Sequence, residues 1–151
     1  MAGVKVDLTQ VTQAFSELNQ LTTSLEPVFL DMGEILLNNT RDRLTAGNDI
    51  HGQKFTPLKY LTVKRKKRNK DNVLIESGDL FRELTYQLVN GGKGLEFGSD
   101  RKYAAIHQFG SDAGSFNKPS GIPSRPFLGL TPKDETDILD IVADHLSLAF
   151  D

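Results

Sequence analysis

The sequence predicts an α+β domain, with N-terminal and C-terminal helices packed on a small antiparallel β-sheet and joined by long mobile loops. Three observations predict it. Apolar residues recur at helical spacing toward both ends, as Leu8, Val11, Phe15, Leu18 and Leu25 and again as Leu139, Val142, Leu146 and Ala149. Between them, residues 84–98 alternate apolar with polar on either side of Gly91-Gly92-Lys93-Gly94, which is the pattern of a hairpin. The length, 151 residues, suits one domain spanning 1–151. A domain of that size buries roughly 70% of the surface its unfolded chain exposes, so it needs no disulfide or metal to be stable.

Each element has local signals. Asp7 with Gln10 resembles a capping box for the first helix. Pro27 ends or kinks that helix and suits the first turn of a second, whose apolar face runs through Phe29, Met32 and Leu36 to about Leu44, with Gly47 just past its end. Residues 46–57 read as a loop, and a short helix starting near Leu58 frays into the basic run Lys64–Lys70. Ser77-Gly78-Asp79 punctuates the chain before the hairpin. A short helix follows from Arg101 to Gln108, stopped by Gly110, and Tyr103, Ile106 and Phe109 form its apolar, core-facing side. Pro123 and Pro126 hold an extended segment, and Phe127-Leu128-Gly129-Leu130 continues it as an edge strand. Thr131 as N-cap, Pro132 at the first helical position and Asp134 three residues after the cap begin the last helix. Residues 63–71, which repel themselves, and 111–121, which are poor in apolar side chains, are expected to be the most mobile internal segments.

Composition narrows the chemistry. With no cysteine, the chain has no disulfide framework, thiolate nucleophile, iron–sulfur cluster or Cys-containing zinc site, and it fits a reducing compartment. Hydrophobic content of 38%, charged content of 25% and a mean hydropathy of −0.35 are values of a water-soluble globular domain. No apolar run approaches the ~18 residues of a membrane helix, and the first residues lack a signal peptide's apolar core. His51, His107 and His145 are too scattered for a local metal motif. Gly91–Gly94 joins two strands rather than opening a helix, so it is a turn and not a phosphate loop. Glu76 and Asp79 beside Ser77-Gly78 read as turn and cap residues. No motif supplies an enzyme, and no cofactor is implied.

Charge, by contrast, is strongly segregated. The total is −2, yet residues 51–71 carry +7 and residues 134–151 carry −6. The candidate polyanion contact is Lys64, Arg65, Lys66, Lys67, Arg68 and Lys70. With Tyr60 the only ring nearby, a DNA contact there would be nonspecific. The opposite reading is a solvated loop.

Four blocks, in order, carry a family resemblance. They are Gly52-Gln53-Lys54-Phe55-Thr56-Pro57-Leu58; Leu74 through Ser77-Gly78-Asp79-Leu80; Phe97-Gly98-Ser99 with Tyr103-Ala104-Ala105-Ile106-His107-Gln108-Phe109-Gly110; and Ile122-Pro123-Ser124-Arg125-Pro126-Phe127-Leu128-Gly129-Leu130. The chain resembles the phage virion morphogenesis family, the tail completion proteins of Mu-like tailed phages and their prophages. The third and fourth blocks are the specific ones; in the first, Phe55 stands where Trp is expected.

The resemblance implies a structural virion protein without catalysis, which completes the tail and enables head–tail joining. It implies self-association into a ring, hexameric in many related neck proteins, with tail tube or neck proteins as further partners and channel DNA as a nonspecific one. Its place would be the host cytoplasm during assembly and then the virion tail or neck. The candidate interface residues are Arg125, Phe127 and Leu128, the last two read as anchors either in the core or in the interface. Arg125 lies on a stiff Pro-framed segment, suited either to a neighbour or to its own subunit's carbonyls and carboxylates. Two other classes compete: a nonspecific nucleic-acid-binding module acting through residues 64–70, and a cell-wall hydrolase using Glu76 or Asp79.

Overall fold

A computed structural model describes residues 9–23, 25–111 and 121–150, and among these residues it forms six helices and one hairpin. The helices are α1 (Thr9–Thr23), α2 (Glu26–Ala46), α3 (Tyr60–Arg65), α4 (Asp79–Arg82), α5 (Lys102–Phe109) and α6 (Pro132–Phe150). The strands are β1 (Thr85–Val89) and β2 (Gly94–Gly98). The fold is mostly helical around a two-stranded antiparallel sheet.

α2 is the axis. Pro27 sits in its first turn, and Gly47 closes it in the left-handed conformation, φ 73°. The Gly47 and Asn48 N–H groups then cap the carbonyls of Leu44 and Arg43. α2 packs on both strands, α6 packs along α2, and α1 packs on α6. The terminal helices and the small sheet thus share one body, as the sequence predicts. The Asp7 cap and the 112–120 part of the predicted mobile loop lie outside the described residues.

The hairpin pairs Thr85 with Gly98, Tyr86 with Phe97, Gln87 with Glu96, Leu88 with Leu95 and Val89 with Gly94. Tyr86 lies flat against Gly33 of α2, where a Cβ would stand 2.5 Å from the ring. Its hydroxyl donates to Glu34 Oε1 at 2.8 Å. Gly33 is therefore a contact glycine that lets helix and strand approach. The main core gathers Leu37, Leu44, Phe55, Leu80, Leu84, Ala104 and Phe127, with Val73, Leu74, Ile75, Phe81, Tyr86 and Leu128 around it.

Three expectations are corrected. Residues 127–130 form no strand, because the Phe127 and Leu128 N–H groups both donate to the Gln108 side chain, at 3.0 and 2.9 Å. The inward face of α6 is Asp134, Asp137, Ile138, Ile141, Val142 and His145, while Leu139 is 68% exposed. That face is set by the capping carboxylate of Asp134, which points α6 at α2 (described below). Tyr103, Ile106 and Phe109 are exposed rather than core; Ala104, His107 and Gln108 turn inward instead.

Gly33→Ala should lower stability by about 1–3 kcal/mol, the usual cost of overpacking. A urea unfolding curve would read this as a lower midpoint with an unchanged slope.

Candidate functional site

The two most specific sequence blocks fold against each other. α5 ends at Gly110, φ 78°, where a Cβ would lie 2.9 Å from both the Ile122 oxygen and the Ser124 nitrogen. Only glycine allows the returning chain that close. Ser111 N–H donates to Ile122 O, and Arg125 N–H donates to His107 O at 2.7 Å. Ser124 Oγ donates to Gln108 O at 2.8 Å. Gln108 then acts as a substitute strand. Its Oε1 accepts the Phe127 and Leu128 N–H groups, and its Nε2 donates to Leu128 O at 2.9 Å. One side-chain amide thereby satisfies three backbone groups of an otherwise unpaired segment.

Arg125 and Phe127, two of the candidate interface residues, belong to the subunit's interior. Arg125 Nε donates to Thr56 O at 2.8 Å and Nη2 to Pro57 O at 3.2 Å, tying the first sequence block to the fourth. Its burial pulls its pKa down from the ordinary arginine value. Of the two readings open for Arg125, the geometry realises the contact with its own carbonyls. Phe127 is 0% exposed, and Leu128 is partly buried against the core.

A second cluster joins this framework to α2 and α6. Thr131 and Asp134 form a reciprocal capping box. The Thr131 N–H donates to Asp134 Oδ2 at 2.8 Å, and the Asp134 N–H to Thr131 Oγ1 at 3.2 Å. Asp134, fully buried, also accepts Asn39 Nδ2 at 2.8 Å and Arg43 Nη1 at 3.0 Å. Arg43 Nη2 reaches the carbonyls of Phe127 and Gly129. Burial alone would push the Asp134 carboxyl up. Hydrogen bonds from Thr131 and Asn39 and the Arg43 charge outweigh it and hold the carboxyl below the usual range. Asp137 is likewise engaged, by Lys133 and Asn39.

The basic run does not act as one patch. Lys66 is buried, and its ammonium donates to the carbonyls of Asn69, Asn72 and Ile75 at 2.7, 2.6 and 2.9 Å. Desolvation lowers its pKa, opposed by the charges of Glu76 and Asp71. The loop closed around it holds Leu74 at φ 64°, a left-handed conformation that costs a branched residue of order 1–3 kcal/mol unless its surroundings enforce it. Lys66 is therefore a loop anchor, which corrects its place among the polyanion contacts. Lys64, Arg65, Lys67, Arg68 and Lys70 remain exposed.

Beside this loop, a cleft of 310 Å³ is bordered by Thr62, Lys66, Glu76, Asp79, Tyr103 and His107 among others. His107 Nδ1 is buried there without a partner. Burial first, and the Arg125 charge second, lower its pKa and favour the neutral ring. Asp79, the first residue of the one-turn α4, accepts from Ser77 Oγ and Arg82, which lower its pKa. Glu76 accepts the Lys67 N–H. Both carboxylates are thus turn ligands. Among the described residues no three His, Asp or Glu groups converge to hold a metal, and no helix is long and apolar enough to cross a membrane.

Sequence reasoning missed Gln108, Arg43 and Lys66. The polar pair His107-Gln108 inside an apolar block was the available signal for Gln108; a single lysine within a basic run carries none.

A family model described as the phage virion morphogenesis family matches residues 6–147. The chain is 40% identical over 140 residues to the Mu-like prophage FluMu G protein 2 of Haemophilus influenzae, covering 92% of this chain and 91% of that one. It is 36% identical over 78 residues to the "Putative capsid assembly protein G" of Escherichia phage Mu, which is 52% of this chain and 49% of that one. No solved structure matches significantly.

Two outcomes are expected at this site. The depressed Asp134 pKa gives stability that is complete above the unfolded-chain value of about 3.9 and is lost as pH falls through the folded value. Asp134→Asn should lower stability by about 3–5 kcal/mol near neutrality, by stranding Arg43, and should flatten this acid limb. Thermal melts across that range would show it. Lys66→Met should cost about 2 kcal/mol by removing three charge-assisted bonds, while Lys67→Met should be near neutral; equal effects would argue against the anchor.

Proposed function

Because the chain belongs to the phage virion morphogenesis family, we propose that it is a structural assembly protein that completes the phage tail and makes it competent to join the head, acting as a subunit of a ring. The observation that carries this reading is how the family-like blocks are used. They are spent on fixing α5 to the body through Gln108, Gly110 and Arg125, while α5 turns Tyr103, Ile106 and Phe109 to solvent. With His107 and Gln108 inward beside Ala104, and the three large apolar side chains outward, α5 inverts the order of an ordinary surface helix. That arrangement suits a protein whose work is to be covered by other protein. Arg125 and Phe127 contribute by framing this surface and not by touching a partner. The virion tail or neck is the site of action, reached after synthesis in the host cytoplasm.

The Mu relative's name points instead to capsid assembly, the alternative that the experiment below separates from tail completion. A second role, nonspecific contact with channel DNA, is favoured by the five exposed cations Lys64, Arg65, Lys67, Arg68 and Lys70.

Electron microscopy of particles made without this protein is the deciding experiment. Filled heads and separate tails, joined when the protein is added back, are expected. Absent or aberrant capsids would move the function to head assembly, and normal joined particles would remove it from assembly altogether. Replacing the five cations with Gln tests the DNA role: a fall in duplex affinity and in its salt dependence, with association intact, would support it.

A further inference from the structure

We infer that the outward faces of α5 and α6 are the two halves of one self-association interface, with α5 of one copy seated on α6 of the next. This rests on the assembly reading above and names the surfaces it would use.

Both helices expose apolar side chains in a row. On α5, Tyr103, Ile106 and Phe109 are 37%, 40% and 78% exposed. On α6, Leu139 and Leu146 are 68% and 37% exposed, and the exposed Ala143 lies between them on the same face. Desolvating such rows favours association, and a scattered exposed leucine would not call for explanation.

Charge then selects the pairing. The cleft that Tyr103 and His107 border is also bordered by Thr62 and Lys66, so the basic end of α3 flanks the α5 face; the cleft's two carboxylates, Glu76 and Asp79, are engaged by the Lys67 N–H and by Ser77 and Arg82. Lys64, Arg65, Lys67 and Arg68 are exposed there. The α6 leucines are interleaved instead with Glu135, Asp140 and Asp144, all exposed and without an ion pair among the described residues. Asp134 and Asp137 are not available to a neighbour, since Arg43 and Lys133 hold them. An α5-to-α5 contact would bring cations against cations, and an α6-to-α6 contact acids against acids. Only the unlike pair joins apolar to apolar and basic to acidic, and like-charge juxtaposition is a strong selector against the others. Unlike faces make a heterologous contact, which propagates and closes into a ring where the rotation permits.

Rigidity supports the choice. Gln108, Gly110 and the Arg101–Glu83 ion pair fix both ends of α5, and the buried Asp134 fixes the start of α6. Two preorganised faces lose little conformational freedom on docking.

The test uses two surface variants of the full chain. Ile106→Asp with Phe109→Asp disables the α5 face. Leu139→Asp with Leu146→Asp disables the α6 face. Circular dichroism establishes that each is folded, and light scattering after size exclusion gives its mass. The parent is expected to form closed oligomers larger than a dimer, and each variant to be a monomer. An equal mixture of the two should form dimers and stop there, because each pair retains one intact junction. Replacing Glu135, Asp140 and Asp144 with Lys should weaken association about tenfold or more. Adding Lys64→Glu, Arg65→Glu, Lys67→Glu and Arg68→Glu should restore it. A parent that stays monomeric would give the α5 face to another virion protein, and a variant that assembles like the parent would clear its face of any role. A mixture that remains monomeric would also overturn the pairing. Head–tail joining, scored separately, distinguishes the two levels. Monomeric parent protein that still restores joining removes only the self-interface; normal oligomers in a deletion phage that joins unaided remove only the assembly function.

Discussion

Asp134 has no contact with water, and that single carboxylate organises more of the molecule than any apolar residue does. An isolated buried carboxylate is costly, so its position is tolerated only where donors converge. Here they come from the first turn of α6 itself, from Asn39 and from Arg43 on α2. Arg43 in turn holds the carbonyls of Phe127 and Gly129. The direction of α6, the end of α2 and the path of the extended segment are thereby mutually determined. Apolar packing adds energy to that arrangement, but it would tolerate other crossing angles; the charge-assisted bonds would not.

The Pro-framed segment shows a complementary solution. Residues 122–130 run in an extended conformation without a neighbouring strand, which would leave backbone groups unpaired near the core. Gln108, Ser111, Ile50 and the backbone of α5 supply the missing partners. The cost is that α5 must turn polar residues inward. Its apolar residues then have nowhere to go but outward, so the external surface follows from an internal hydrogen-bond requirement.

Features decided by neighbouring residues could be read from the sequence. The Pro27 and Gly47 boundaries of α2, the hairpin around Gly91–Gly94, the stop at Gly110 and the Thr131–Asp134 cap all depend on local backbone preference, and they appear as expected. The family was legible too, from the four blocks taken in order. What depended on partners distant in sequence was not legible. Leu139 and Ile138 both suit an amphipathic helix, and only the buried cap chooses between them. Tyr103, Ile106 and Phe109 satisfy every rule for a core face, and only Gln108's long-range bonds reverse it. Lys66 is indistinguishable from its neighbours until the loop closes around it. For Arg125 and Phe127 the sequence left an inward and an outward role open, and only the carbonyls of Thr56 and Pro57 and the core around Phe127 choose the inward one within the subunit.

The bond from Arg43 to Asp134 spans 91 residues, and the one from Asn39 spans 95. Such distant closures are late events, since loop entropy must be met before they contribute. On the ribosome, a nascent chain that has not yet extended through Asp134 has α2 and the hairpin but no clasp, and so no fixed α6. Synthesis past Asp134 is therefore the step at which α2, α6 and the extended segment become fixed relative to one another.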